Sequence, residues 1–240
     1  MRLDAYLVDM SYFKSRGRAK TAILAGSVKV NGAVVKKVSR DVASDDEIEV
    51  AEGLDQPQGY FKLKRIQEES GIIKPGDRVL DLGSSAGGFI LFASEIAGHI
   101  KGIEFSRDFR SELGKIAFEQ KNVEVMFGDV FTVPLNTLSE EPVDVILSDM
   151  TLEPRDAIKA LSRVLPLLKE NGKVLQVIKM PKKKNPKPFL SKIEDIGLEI
   201  LQAINSKKQE IYVIARKPGS GEKEPESGEK EVEGLEADQN

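Results

Sequence analysis

The chain contains no cysteine and a single histidine, His99. Disulfide scaffolds and cysteine-ligated zinc are thereby excluded, and imidazole chemistry has little material to work with. No apolar run reaches about 18 residues, the length a helix needs to cross a bilayer, and the first residues lack the apolar core of a signal peptide. A cytoplasmic protein without membrane contact is expected. A net excess of acidic charge is confined to one end. The formal net charge is −3, but residues 219–240 hold eight acids against two bases, so the remaining 218 residues carry +3. Residues 1–40 hold nine bases and two acids, a local +7, which is the electrostatic footprint of a nucleic-acid binder.

What is present suffices for one large domain or two modest ones, since 40% of the 240 residues are hydrophobic. The chain is organised around Val79 to Phe89, Val-Leu-Asp-Leu-Gly-Ser-Ser-Ala-Gly-Gly-Phe. It reads as an apolar strand ending in an acid, a turn of small residues and an amphipathic helix from about Ala86 to Ala97, the opening of a nucleotide-binding βαβ unit. Gly83 lets the chain leave the strand sharply, and Gly87 and Gly88 allow a ligand and the helix backbone to approach the sheet. The spacing is not that of the dinucleotide fingerprint, and Asp81 at the strand tip would repel a pyrophosphate. A cationic cofactor without phosphate is favoured, S-adenosylmethionine above all. Taken alone, the turn also suits a purely structural αβ corner.

Before it, Arg2 to Met10 and Ser15 to Ala25 have helical periodicity, and Ser27 to Val35 alternates around Asn31-Gly32, a strong hairpin signal. Glu47 to Val50 is a further short strand. The run Ser15-Arg16-Gly17-Arg18-Ala19-Lys20, with Ile23, Ala25-Gly26, Val28, Val30-Asn31-Gly32 and Val35, resembles the ribosomal S-four RNA-binding domain. The resemblance implies a small α+β RNA-binding domain at 1–52, with Arg16, Arg18, Lys20, Lys29 and Asn31 on the RNA; a two-helix cap with solvated charges is the alternative. Phosphate contacts of this kind hold RNA without reading its sequence.

Residues 53–59 read as a linker. From Tyr60 onward, helix patterns at Tyr60–Glu69, Pro154–Leu168 and Phe189–Ile196 alternate with strands at Ile100–Glu104, Val123–Phe127, Val143–Leu147 and Lys173–Ile178. Strands at Leu198–Ala203 and Glu210–Ala215 finish a mostly parallel α/β sheet whose ligands sit at the carboxyl edge. Glu104 lies 23 residues beyond Asp81, the usual offset for a carboxylate that holds ribose hydroxyls. Met180 to Pro188, with four lysines and three prolines, reads as a rigid basic loop for RNA phosphates or as a solvated lysine run. Residues 218–240 have the composition of a disordered acidic tail.

Residues 60–217 resemble the FtsJ family of RNA ribose 2′-O-methyltransferases, defined by a Lys-Asp-Lys-Glu tetrad. Here the tetrad falls on Lys62 in Tyr-Phe-Lys-Leu, Asp149 in Leu-Ser-Asp-Met, Lys179 after Gln-Val-Ile, and Glu210 before Ile-Tyr-Val. The resemblance implies a Rossmann-like domain with a seven-stranded sheet and catalysis by these four residues, with Lys179 the candidate base. A lysine serves as base only when neutral, a state that burial and a nearby cation such as Lys62 favour. Asp149 and Glu210 would orient the lysines and the hydroxyl. The cofactor would be held by Asp81, Gly83, Ser84, Ser85, Gly87, Gly88, Phe89, Glu104, Phe105 and Asp129, with Phe105 on adenine and Asp129 at its amino group.

An S-four module followed by an FtsJ-like one is similar to the TlyA family of ribosomal RNA methyltransferases, some of them labelled hemolysins. Two departures bear on target choice: Met150-Thr151-Leu152-Glu153-Pro154 replaces the usual Ala-Pro-Asn, and the glycine turn carries Ser-Ser-Ala. The expectation is a metal-free, SAM-dependent methyltransferase acting on structured, ribosomal RNA; the sequence leaves its oligomeric state open, with a monomer favoured. The competing reading is a non-catalytic RNA-binding or ribosome-assembly factor that retains the fold.

Overall fold

The computed structural model describes residues 1–13, 15–50, 56–180, 185–206 and 210–220. Residues 53–55 of the expected linker, 181–184 of the lysine loop and 221–240 of the acidic tail therefore lie outside the described residues. Helix α1 (Leu3–Asp9) packs on α2 (Arg16–Leu24), whose first turn is closed by Ser15 Oγ accepting from Arg18 N at 3.4 Å. Strands β1 (Val28–Val30) and β2 (Ala33–Val34) form the hairpin, and Asn31 (φ 53°) and Gly32 (φ 78°) supply the two left-handed residues of its turn. Strand β3 (Ile48–Val50) pairs antiparallel with β1. Leu3, Leu7, Ala19, Ile23, Val28 and Val30 are sealed between the helices and this sheet.

Helix α3 (Gln58–Ser70) starts two residues before the expected Tyr60 and ends at left-handed Gly71. Beyond it come β4 (Arg78–Leu82), α4 (Gly88–Ser94), β5 (His99–Glu104), α5 (Arg110–Glu119), β6 (Val123–Phe127) and a single turn, α6 (Leu135–Leu138). The chain continues through β7 (Val143–Ser148), α7 (Pro154–Val164), β8 (Leu168–Lys179), α8 (Lys187–Asp195), β9 (Glu199–Ser206) and β10 (Glu210–Arg216). The sheet order is β6-β5-β4-β7-β8-β10-β9. Only β10 runs against its neighbours, inserted between β8 and β9. The expected mostly parallel seven-stranded sheet is observed.

Two further boundaries differ from expectation for physical reasons. Gly87 has φ 80°, outside helical space, so α4 opens at Gly88 and not at Ala86. Strand β8 begins at Leu168, five residues before the expected Lys173, because Asn171 enters the left-handed region (φ 60°) within the strand and the β7–β8 register shifts there. Helix α5 and the antiparallel insertion had no expectation at all.

Alternation divides the sheet into two covered faces. Val79, Ile100, Val145, Leu147, Val177 and Tyr212 face α3 and α4, while Leu80, Leu82, Ile146, Val174 and Ile178 face the side of α7 and α8. The α3–α4 crossing is close because it is glycine on glycine: a Cβ at Gly88 would lie 2.6 Å from Tyr60 N and 2.7 Å from Gly59 Cα. The N-terminal module joins the first of these cores. Tyr12 stacks on Phe61 with ring centroids 3.7 Å apart, and Gln58 Nε2 donates to Val50 O at 2.7 Å.

Candidate active site

Four polypeptide segments converge at the carboxyl edge of β4, β7 and β8. Antiparallel pairing puts Glu210, the first residue of β10, directly opposite Lys179, the last of β8. Asp149 follows β7, and the glycine crossing sets α3 so that Lys62 reaches them. Lys62 Nζ donates to Asp149 Oδ2 at 2.7 Å and pairs with Glu210 Oε2 at 3.0 Å. Lys179 Nζ lies 4.0 Å from Asp149 Oδ1 and donates to Thr151 Oγ1 at 3.0 Å. The tetrad anticipated from sequence is thus one cluster of two cations and two carboxylates.

Burial acts on the Lys62 ammonium downward, yet Asp149 and Glu210 outweigh it and the net shift is upward. Lys62 is therefore held charged and already compensated. The two carboxylates hold this lysine, the orienting part expected of them. Burial pushes the Asp149 carboxyl up, against the opposing pull of Lys62. Its Oδ1 is buried and accepts no hydrogen bond from any described residue, while Oδ2 is engaged by Lys62. Tyr212 Oη donates to Glu210 Oε2 at 3.3 Å, and its ring lies 5.7 Å from Lys62 Nζ. Tyr212 was not anticipated; its place two residues after Glu210 on one strand face was the available signal.

Two cavities flank this cluster. One of about 490 Å³ lies over the ends of β4, β5 and β6, walled by Gly83, Ser85, Ile103, Glu104, Phe105, Phe109, Asp129, Phe131 and the Met150–Leu152 stretch. The other, of about 260 Å³, lies between the N-terminal module and the tetrad. Asp149 is the one described residue that lines both. At the first, Glu104 is fixed by two backbone donors, Ser85 N to Oε2 at 2.8 Å and Ser106 N to Oε1 at 2.7 Å. Each oxygen keeps a further lone pair for a ligand. Asp129 is oriented by Phe131 N at 2.9 Å, and Phe105 stands at the rim, 75% exposed. Gly83 has φ 79°, and a Cβ there would meet Met150 Cγ at 2.7 Å.

The other expected cofactor residues lie behind the wall. Gly87 packs on α5, where a Cβ would come within 2.2 Å of Ile116 Cδ1. Gly88 serves the α3 crossing, and Phe89 and Ser84 are buried. Asp81 is buried and its Oδ2 has no partner among the described residues. Burial pushes its carboxyl up to about 7, against the Ser84 hydroxyl, with Asp149 and Glu104 adding to the rise.

In the N-terminal module, Arg16 Nη2 pairs with buried Asp4 Oδ2 at 2.6 Å, and Arg2 Nε joins on Oδ1 at 3.0 Å. The Arg16 and Arg2 guanidiniums hold the Asp4 carboxyl below the usual range despite burial. Arg2, Arg16 and Lys20 line one shallow basic depression. Lys29 Nζ lies 3.9 Å from Glu49 Oε2. Asn31, expected on RNA, is tied to the segment just before β3: Nδ2 donates to Asp46 Oδ1 at 2.6 Å, and Oδ1 accepts from Glu47 N at 2.9 Å.

A family model described as FtsJ-like methyltransferase matches residues 56–216. The chain belongs to the FtsJ-like methyltransferase family. An S4 domain model matches residues 1–48. Among relatives, hemolysin A of Brachyspira hyodysenteriae is 38% identical over 90 residues, 37% of this chain and 38% of that protein. Ribosomal RNA large subunit methyltransferase E of Syntrophobacter fumaroxidans is 41% identical over 96 residues, 39% of this chain and 47% of that one. The chain thus spans less than half the length of these two relatives. Aeropyrum pernix fibrillarin, solved with natively bound S-adenosyl-L-methionine, shares the fold with TM-score 0.57 at 21% identity, over 79% of this chain and 94% of that one. Among the described residues no helix is long and apolar enough to cross a membrane, and no group of three or more His, Cys, Asp or Glu side chains could hold a metal ion.

Proposed function

We propose that this FtsJ-like protein transfers a methyl group from S-adenosylmethionine to a ribose 2′-hydroxyl of structured RNA, ribosomal RNA being the substrate class. The observation that carries the reading is that Asp149, at the centre of the Lys62–Asp149–Lys179–Glu210 cluster, lines both cavities. A hydroxyl entering from the smaller cavity meets this residue at the border of the larger one.

The larger cavity fits the cofactor. Its volume falls within the range of about 300–1,000 Å³ typical of small-molecule sites, Glu104 suits vicinal ribose hydroxyls, and Phe105, Phe109 and Phe131 give an apolar seat for adenine. Asp81, a buried carboxylate without a compensating cation, suits a ligand that brings positive charge. When bound, S-adenosylmethionine supplies a methyl carbon made electrophilic by its sulfonium. The protein's share is alignment and proton acceptance. Asp149 and Glu210 fix Lys62 as a cation beside the hydroxyl oxygen, and Lys179, in its neutral form, takes the hydroxyl proton as the oxygen bonds to the methyl carbon. The basic residues of 1–52 hold the RNA while 60–217 carries the chemistry.

Incubation with methyl-labelled cofactor and bulk ribosomal RNA, followed by nucleoside analysis, tests the reading. Label should appear in 2′-O-methylnucleosides. Label confined to free cofactor while RNA still binds would make the protein an RNA-binding assembly factor.

A further inference from the structure

The smaller cavity is built by both halves of the chain. Tyr12, Glu47, Ile48 and Val50 of the N-terminal module close one side, and Lys62, Asp149, Glu210 and Tyr212 close the other. Arg65 lies between them on α3, one turn beyond Lys62, where side chains three positions apart share a face at about 5–6 Å.

The charges in this cavity are not equivalent. Lys62 is bound by Asp149 and Glu210. Arg65 forms no ion pair or hydrogen bond with any described residue, yet it is partly buried and close enough to Tyr6, Tyr12 and Tyr212 for its charge to act on all three phenols. A guanidinium set in a concave wall and paired with no carboxylate of the described residues is suited to a phosphate, which it grips through paired N–H donors. The remaining carboxylates of the lining, Glu47, Asp149 and Glu210, would repel a phosphodiester from every other part.

We infer that this cavity is the seat of the target ribonucleotide, that Arg65 binds the phosphate adjoining the ribose whose hydroxyl meets Asp149, and that the N-terminal module forms a wall of the active site. The inference rests on the methyl-transfer reading. It makes the module part of the substrate pocket and not only a tether.

The test uses the full chain with Arg65→Gln and Arg65→Lys, both compatible with a helix. RNA affinity is measured against salt with bulk ribosomal RNA, alongside cofactor affinity and steady-state methyl transfer. Arg65→Gln should bind RNA about tenfold more weakly and lower the slope of log affinity against log salt by about 0.7–0.9, the value of one phosphate contact. Arg65→Lys should restore the slope. Cofactor affinity should stay near wild type, while methyl transfer at subsaturating RNA falls with the RNA affinity. An unchanged RNA affinity and slope in Arg65→Gln overturns the inference, as does a parallel loss of cofactor binding, which would make Arg65 a support of the fold. A wild-type protein that transfers no methyl to RNA overturns the parent reading instead, and the salt slope still reports the Arg65 contact because it needs no turnover.

Discussion

Lys62 Nζ donates to Asp149 Oδ2 at 2.7 Å across 87 positions of sequence, tying the first helix of the catalytic half to the centre of its sheet. The pair is a pin as well as a part of the site. Because the Lys62 ammonium is raised above its ordinary value, its contribution to stability is complete at neutral pH. It is lost only as pH climbs through the raised folded value.

Replacing Lys62 by methionine leaves Asp149 and Glu210 without the cation that bridges them, and only Lys179 remains, 4.0 Å from Asp149 Oδ1. Both carboxylates are mostly buried, with side chains 20% and 13% exposed, so the loss should be about 2–3 kcal/mol, at or below the lower end for a fully buried pair. In the variant the folded state takes up protons more readily than the unfolded chain. The destabilisation is then largest near pH 8 and shrinks toward pH 5. Thermal melts of both proteins across that range measure the difference, and curves that run parallel would remove Lys62 from this role.

Gly88→Ala should loosen the crossing that aims Lys62. The added Cβ meets backbone, Tyr60 N at 2.6 Å and Gly59 Cα at 2.7 Å, and backbone cannot rotate away. Helix α3 must shift, at about 1–3 kcal/mol, and methyl transfer should fall further than the lost stability explains. Denaturant midpoints together with activity below the transition check it; a variant equal to wild type in both would mean that the crossing has slack.

Much of this was legible in the chain because strand tips carry charge where apolar runs end. Asp149, Lys179 and Glu210 each border a buried strand, and the hairpin at Asn31-Gly32 announces itself. What stayed hidden depends on through-space partners. Nothing local says that Gly87 and Gly88 answer to α5 and α3, since a glycine records that a Cβ is excluded but not by what. Asn171 has the turn chemistry that signals a break, but here the left-handed residue sits inside a continuing strand. Arg65 and Tyr12 look like ordinary residues of two separate segments until the modules meet.

Asp81 gives the cofactor site a pH dependence. With burial holding its carboxyl at about 7, the ligand-free protein is partly protonated there at neutral pH. A cationic ligand favours the ionised form, so binding should release a proton and weaken as pH falls below 7, approaching tenfold per unit. Asp81→Asn should bind more weakly at pH 8 and lose most of this dependence. Titration calorimetry in buffers of different ionisation enthalpy counts the proton directly, and no release at pH 6.5 would separate Asp81 from the ligand's charge.

Lys179 stands apart from the rest of the tetrad. Its Nζ is 4.0 Å from Asp149 Oδ1, beyond hydrogen-bond range, and Thr151 Oγ1 holds it at 3.0 Å. The gap lies beside Asp149 Oδ1, so a hydroxyl seated there has the lysine within reach of its proton. Arginine would keep the charge and approximate length, but a guanidinium does not give up its proton in a protein and so cannot take another. Lys179→Arg should therefore lower the turnover number by about 10²–10⁴-fold, the usual worth of a positioned base. Cofactor and RNA affinities should change little, since the lost interaction belongs to the transition state. Single-turnover rates with pre-bound RNA, beside equilibrium binding of both ligands, separate the two effects. If the arginine variant turned over at close to the wild-type rate, Lys179 would be an electrostatic anchor, and the proton would have to leave through water at the Asp149 junction.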